Sequence, residues 1–176
     1  MAAAVVLDPE YRLKKVKDSK LLSAAEREAM VARIYAKSTS VGIGVVELAE
    51  LNRNGLSWAV RQSGLRAVEA LDISPAHVLL DGHWDYFKAA YPCTTVIKGD
   101  ATELCIAAAS VIAKVHRDTL MAQLDAQHPG YGFAEHKGYG TPAHRAALKA
   151  HGICPAHRTG WQPVAAIMQA TLELSY

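Results

Sequence analysis

A mixed α/β fold with a helical C-terminal part is what the sequence predicts, and three observations predict it. Apolar or glycine-alternating runs of strand length alternate with stretches of helical periodicity through the middle of the chain. The longest helical stretch is rich in alanine, so a helix there lies close on a sheet. With 51% hydrophobic and 20% charged residues, the composition is that of a chain that buries a core, which excludes a disordered tail. Its 176 residues are expected to form a single domain, 1–176, with a sheet core and long helix over about 1–127 and a helical part over about 128–176.

Each element has a local cause. Residues 2–7 are an apolar run closed by Asp8-Pro9, which reads as a buried strand entering a turn. Ser23-x-x-Glu26 is a capping box, and Met30, Val31, Ile34 and Tyr35 follow at helical spacing, so a helix is expected over 23–37. Residues 38–46 set Gly42 and Gly44 against Val41, Ile43 and Val45, a strand with one closely covered face. Leu56, Val60, Leu65 and Val68 mark a helix ending near Leu71. Residues 77–81 are expected to be a buried strand stopped by Gly82, with 94–97 as its neighbour. A long helix over about 101–127 comes next, then a glycine-rich, aromatic loop over 128–140. Pro142 and Pro163 each suit a first helical position and open helices to about 151 and 174.

Composition narrows the function classes. The longest uncharged run, 159–172, is too short and too polar for a membrane span of about 20 apolar residues. The opening residues lack a signal peptide's basic region and cleavage site, so a cytoplasmic protein with no membrane partner is expected. Cys93, Cys105 and Cys154 are odd in number and scattered, which suggests neither a disulfide framework nor a zinc site. The net charge of +2 argues against a generic polycation, but its distribution is uneven. Residues 136–172 contain no Asp or Glu, while Lys137, Arg145, Lys149 and Arg158 stand among His136, His144, His151 and His157, a candidate anion-facing surface. Arg12, Lys14, Lys15, Lys17 and Lys20 form a second basic cluster.

Three constellations are able to carry chemistry. Asp81 ends one strand and Asp100 follows the next, so both carboxylates converge if they lie at one sheet edge, where hard oxygens suit Mg2+ or Mn2+. The plain alternatives are a turn at Asp81-Gly82 and a helix-capping role for Asp100-x-x-Glu103. Ser110, Lys114 and Asp118 share a helix face, either as a phosphate-meeting stripe or as an exposed edge with one ion pair. Tyr131, Phe133 and Tyr139, interleaved with glycines and Lys137, suit stacking on a base or sugar, or else a loop whose aromatics tuck into the core. No Walker loop, dinucleotide fingerprint or serine-hydrolase elbow is present.

Six blocks resemble the ribonuclease HII family in sequence and order. They are Asp18-Ser-Lys20, Val78-Leu-Leu-Asp81-Gly82, Lys98-Gly-Asp100, the run from Ile106 through Ser110 and Lys114 to Asp118, Pro129-Gly-Tyr-Gly-Phe133, and His136-Lys-Gly-Tyr-Gly-Thr141. The resemblance implies a ribonuclease H-like mixed sheet flanked by helices, with a C-terminal helical extension. It implies an endonuclease that hydrolyses the RNA strand of RNA/DNA hybrids and nicks 5′ of single ribonucleotides in duplex DNA, by two-metal-ion catalysis with Mn2+ or Mg2+. That activity belongs to DNA replication and repair. On the same resemblance Asp81 and Asp100 are catalytic metal ligands. Tyr139 stacks on the sugar at the RNA–DNA junction, and Lys20, Ser110, Lys114, Lys137 and Arg158 approach the nucleic-acid backbone.

The sequence departs from the family pattern at its start. The family's first strand carries Asp-Glu-Ala-Gly-Arg-Gly, with two further metal carboxylates and a junction-reading loop, and residues 1–9 resemble the strand after it. Smaller departures are His83-Trp84, and Arg158-Thr-Gly-Trp161 where an Arg-Arg-Ser-Phe-like segment is usual. The chain as written is therefore expected to bind metal weakly, to cleave poorly or not at all, and to be less stable or to associate through unpaired strand edges. A complete chain is expected to be a monomer. The alternatives to an active enzyme are an N-terminally truncated, catalytically impaired hybrid-binding protein and a non-functional fragment.

Overall fold

The computed structural model describes residues 1–8, 10, 23–87 and 90–173. The Asp18-Ser-Lys20 block, with the candidate Lys20, and the basic cluster from Arg12 lie outside the described residues. The chain divides into two compact units, Met1–Val46 with Ser57–Val115, and Glu47–Leu56 with His116–Tyr176.

In the first unit, strand β1 (Ala2–Leu7) pairs antiparallel with β2 (Ser38–Gly44), with Ala2 opposite Gly44 and a register slip after Val6 that sets Leu7 against Ser38. Helix α1 (Ala24–Tyr35) joins them, and the Ser23 capping box forms as expected: Ser23 N–H donates to Glu26 Oε2 at 2.8 Å and Glu26 N–H to Ser23 Oγ at 3.3 Å. Helix α3 (Leu56–Glu69) leads to β3 (Val78–Asp81), which pairs in parallel with β4 (Cys93–Val96). The short α4 (Gly99–Thr102) and the long α5 (Leu104–Gln127) follow. The expected helix over 101–127 thus starts at Leu104, because Glu103 is extended (φ −109°, ψ 122°) and separates α4 from α5.

Apolar faces of these elements make two cores. Met30 and Ile34 of α1 meet Ala107, Ala108, Val111 and Ile112 of α5, with Ala3, Val5, Leu7, Val41 and Ile43 of the first sheet packed against them. Leu65 and Val68 of α3 join Phe87, with Val78 and Leu80 alongside. The alternation in β2 has the anticipated cause. A β-carbon on Gly42 would strike the Ala67 carbonyl, and one on Gly44 the Ser63 carbonyl, so the backbone of α3 lies directly on this face of the strand. Ser40 on the same face is buried at 4% exposure. Its hydroxyl is satisfied by Asp72, accepting from the Asp72 N–H at 2.9 Å and donating to Oδ2 at 3.2 Å.

The strands form two separate two-stranded sheets, β1–β2 and β3–β4, among the described residues. All six residues of β1 and all four of β3 line an apolar slot of about 800 Å3, floored by Val68 of α3 and by Ile106, Ala109, Ser110 and Ala113 of α5. Consecutive residues face it from both strands, so strand edges with their unpaired main-chain groups bound the slot. This opening is why β3 is half-exposed, with Leu79 at 38%, although its sequence reads as a buried strand.

The second unit is helical: α2 (Leu48–Asn54), the one-turn α6 (Phe133–His136), α7 (Pro142–His151) and α8 (Gln162–Glu173). Proline opens α7 as expected, and Thr141 caps it by accepting from His144 N–H at 3.2 Å. Pro163 falls at the second position of α8. Thr159 N–H donates to Asn52 Oδ1 at 3.0 Å, tying α2 to the segment before α8. No helix among the described residues is long and apolar enough to cross a membrane.

Gly42→Ala and Gly44→Ala are each expected to lower the unfolding free energy by about 1–3 kcal/mol, since neither α3 nor β2 can yield without repacking. Gly160→Ala, with nothing within 4 Å of the new carbon, is the control and stays within about 0.5 kcal/mol. Urea unfolding of the three variants measures the difference.

Candidate functional site

Asp81 is the last residue of β3, where Gly82 turns the chain at φ 105°. Gly82 N–H still donates to Val96 O at 2.9 Å, so the two parallel strands end together. Lys98 then adopts a left-handed conformation (φ 56°, ψ 39°), uncommon without glycine, and turns the chain into α4. Gly99, buried there, donates its N–H to Asp81 Oδ1 at 2.9 Å. The sequence thus brings the side chain of Asp81 to the residue next to Asp100, at the carboxyl ends of two parallel strands, where open α/β sheets place their ligands. Asp81 is exposed and Asp100 half-buried, and Asp100 sits inside α4.

The donor chemistry fits a hard divalent cation. Two carboxylates, completed by water and phosphate oxygens, match how Mg2+ is usually held. No group of three or more His, Cys, Asp or Glu side chains is placed to hold a metal among the described residues. Ser110 and Lys114 are half-buried on α5, Ser110 against the slot, and Asp118 is half-buried one turn beyond Lys114.

In the second unit the aromatic loop divides. Tyr131 (8% exposed) and Phe133 (3%) tuck inside, stacked at 5.4 Å between ring centroids, whereas Tyr139 stands out at 65% exposure. The tucked reading holds for Tyr131 and Phe133, and Tyr139 is left exposed. The Arg117 guanidinium lies 5.6 Å from the Tyr139 ring centroid, and its Nη2 donates to Lys137 O at 2.8 Å. Lys137 is left-handed (φ 52°) and ends α6. Arg158 is half-buried, and its carbonyl accepts from Trp161 N–H at 3.1 Å.

The acid-free third is not simply a basic surface. His136, His144 and His157 are buried at 7%, 2% and 6% exposure, while His151 is exposed. The His136 and His144 rings stack at 4.0 Å, and His144 Nε2 lies 3.3 Å from His157 Nε2. Burial holds both His144 and His157 below the ordinary imidazole range, against the partly offsetting hydrogen bonds to the Tyr139 and Cys154 backbones. Reading histidines in a basic stretch as surface charge overlooked this. The signal that reveals it is their interleaving with Tyr131, Phe133 and Trp161. The three cysteines are free and half-buried, and burial pushes their thiols up, which keeps them protonated.

The fold is that of the type 2 ribonucleases H. The crystal structure of the ribonuclease H2 from Pyrococcus horikoshii OT3 is similar to 90% of this chain and 82% of its own, with a TM-score of 0.76 at 22% identity. The family model described as Ribonuclease HII matches residues 1–164. A Ribonuclease HII from Geobacillus kaustophilus is 43% identical over 178 residues, covering 99% of this chain and 66% of that protein. Another from Maricaulis maris is 44% identical over 170 residues, covering 97% of this chain and 78% of that protein. The chain belongs to the ribonuclease HII family. It spans just under two thirds of the length of the Geobacillus kaustophilus relative.

Because folded His144 and His157 hold protons less readily than their unfolded forms, the unfolded state binds more protons as pH falls. Their contribution to stability is expected to be fully present above about pH 6.5 and to decline below it, toward the lowered folded values. Urea midpoints measured across this range check the sign; a midpoint that rises on acidification contradicts it.

Proposed function

We propose that the chain is an endonuclease for the RNA strand of RNA/DNA hybrids and for single ribonucleotides embedded in duplex DNA, nicked on their 5′ side. The observation that carries this reading is the Asp81–Gly99 hydrogen bond, which sets two carboxylate residues side by side at the ends of β3 and β4 in a chain of this family. Asp81 and Asp100 would hold Mn2+ or Mg2+. Such ions supply, when bound, activation of water and stabilisation of the leaving 3′ oxygen. A two-metal reaction needs more anionic ligands than this pair, and the scissile phosphate is one of them.

The chain's own residues do the rest. Gly99 N–H orients the Asp81 carboxylate and leaves the side chain exposed to substrate. Ser110 and Lys114 on α5, together with Lys20, approach phosphates. In the second unit Tyr139 stacks on the ribose at the RNA–DNA junction, its ring presented to solvent and backed by Arg117. Lys137 and Arg158 neutralise backbone charge. The substrate places this activity in DNA replication and repair, in the cytoplasm.

The test is cleavage of a DNA duplex bearing one ribonucleotide, with Mg2+ and then Mn2+, beside Asp81→Asn. Cleavage that the substitution brings to background is expected. Absence of cleavage by the unsubstituted chain, with binding to the duplex retained, would instead favour a hybrid-binding protein. Tyr139→Ala is expected to weaken binding to a catalytically silent duplex by about 1–3 kcal/mol. Lys137→Ala is expected to reduce the slope of log affinity against log salt by about one, as read by fluorescence anisotropy.

A further inference from the structure

Among the large hydrophobic side chains of the described residues, Trp84 and Ile97 stand furthest out, each 67% exposed, with Tyr139 next at 65%. Both belong to the first unit, and both follow the strands that end at the carboxylates. Trp84 comes three residues after Asp81, the end of β3, and Ile97 directly follows Val96, the end of β4 and the register partner of Asp81. The two most exposed apolar side chains therefore leave the sheet at the edge that carries Asp81 and Asp100.

Trp84 is held out by a segment that is anchored at both ends. Upstream, Gly82 N–H donates to Val96 O at 2.9 Å. Downstream, Arg61 Nε donates to Tyr86 O at 2.8 Å, Phe87 N–H donates to Asp85 Oδ1 at 2.9 Å, and the Phe87 ring is buried at 2% exposure, so close to α3 that a β-carbon on Gly64 would strike it. The indole is thus presented from a fixed backbone, with the His83 ring 6.2 Å from it. Its neighbours along the chain, His83 and Asp85, are exposed, as are Asp81 and Lys98 at the strand ends. A protein-docking surface buries a contiguous apolar patch at its centre, whereas this is an aromatic face set among charges, the mixture that suits a sugar or base beside a phosphate. The acidic edge also favours an uncharged contact. Carboxylates repel a phosphate until a cation lies between them, and stacking adds affinity that this repulsion does not cancel. In a duplex the bases are stacked on one another, so an aromatic ring at its surface meets riboses across the wide, shallow minor groove of an A-like helix.

We propose that Trp84 is a substrate-binding residue of the first unit, its indole lying on the sugar face of an RNA/DNA hybrid next to the phosphate that meets Asp81 and Asp100, with Ile97 adding apolar contact at the same strand ends. The proposal rests on the reading of the chain as a hybrid-directed nuclease and adds to it a contact that carries no charge. Affinity from Trp84 is therefore independent of salt, in contrast to that from Lys137 and Arg158.

The experiment uses the full chain and an RNA/DNA hybrid with Ca2+ as the hard cation. In one arm, acrylamide quenching of tryptophan emission is compared between the unsubstituted chain and Trp84→Phe, so that the difference isolates Trp84 from Trp58 and Trp161. The Trp84 emission is expected to be freely quenched in the unbound chain and at least twofold less so, about, in the complex. In the other arm, hybrid affinity is measured by anisotropy across a salt series. Trp84→Ala is expected to weaken binding about fivefold or more at every salt concentration with the slope unchanged, and Trp84→Phe to restore most of the loss. Because the side chain is exposed, the urea midpoint of Trp84→Ala should match that of the unsubstituted chain, which separates lost contact from lost fold. Trp84 emission equally quenchable in the complex, or Trp84→Ala binding as tightly as the unsubstituted chain, would overturn the proposal. If Tyr139→Ala still weakens binding in that case, the hybrid-directed reading stands without Trp84. A chain that binds no hybrid even at low salt would overturn both.

Discussion

The face of α5 that carries Ile106, Ala107, Ala108, Val111 and Ile112 is the surface on which the first unit is built. Alanine at two of these positions lets Met30 and Ile34 of α1 approach closely, and the same contact carries the inward residues of β1 and β2. Close approach recurs where the backbone of α3 lies on Gly42 and Gly44. With α1 and α5 on one face of the first sheet and α3 on the other, its strands have little freedom to shift, while β3 packs through Val78 and Leu80 on the cluster of Leu65, Val68 and Phe87.

Local chemistry explains which parts of this were legible. The Ser23 capping box, the glycine alternation of β2 and the proline at the start of α7 are each short-range signals that tertiary packing does not override, and each produced its element within a residue or two. Helix α2 escaped because none of its residues is buried, so no apolar stripe marks it, and its cap is Glu47, outside the usual capping residues. The one-turn α6 is bracketed by left-handed Gly132 and Lys137, too short for any periodicity. The half-exposure of β3 depends on what lies across the slot, which no local pattern encodes.

The candidate site divides along the same line. The strand-ending pattern left Asp81 and Asp100 open between a convergent pair and plain turn and capping roles, and the hydrogen bond from Gly99 N–H brings the Asp81 side chain to the residue before Asp100. Which aromatic of the loop would be presented could not be read, since Tyr131, Phe133 and Tyr139 share the same glycine-rich context and differ only in what packs on them. The histidines misled for a related reason. Their titration range makes them look like charge, yet three are buried and hydrogen-bonded in an aromatic interior.

The slot between β1 and β3 bears on how the protein unfolds. Its walls are apolar and already in contact with solvent in the native state, so part of the surface that unfolding normally hydrates is hydrated beforehand. That share is small beside the surface of the whole chain, so calorimetry should register a heat-capacity increment close to the roughly 12–15 cal/mol/K per residue usual for folded chains, and the slot is felt in local opening more than in the global transition.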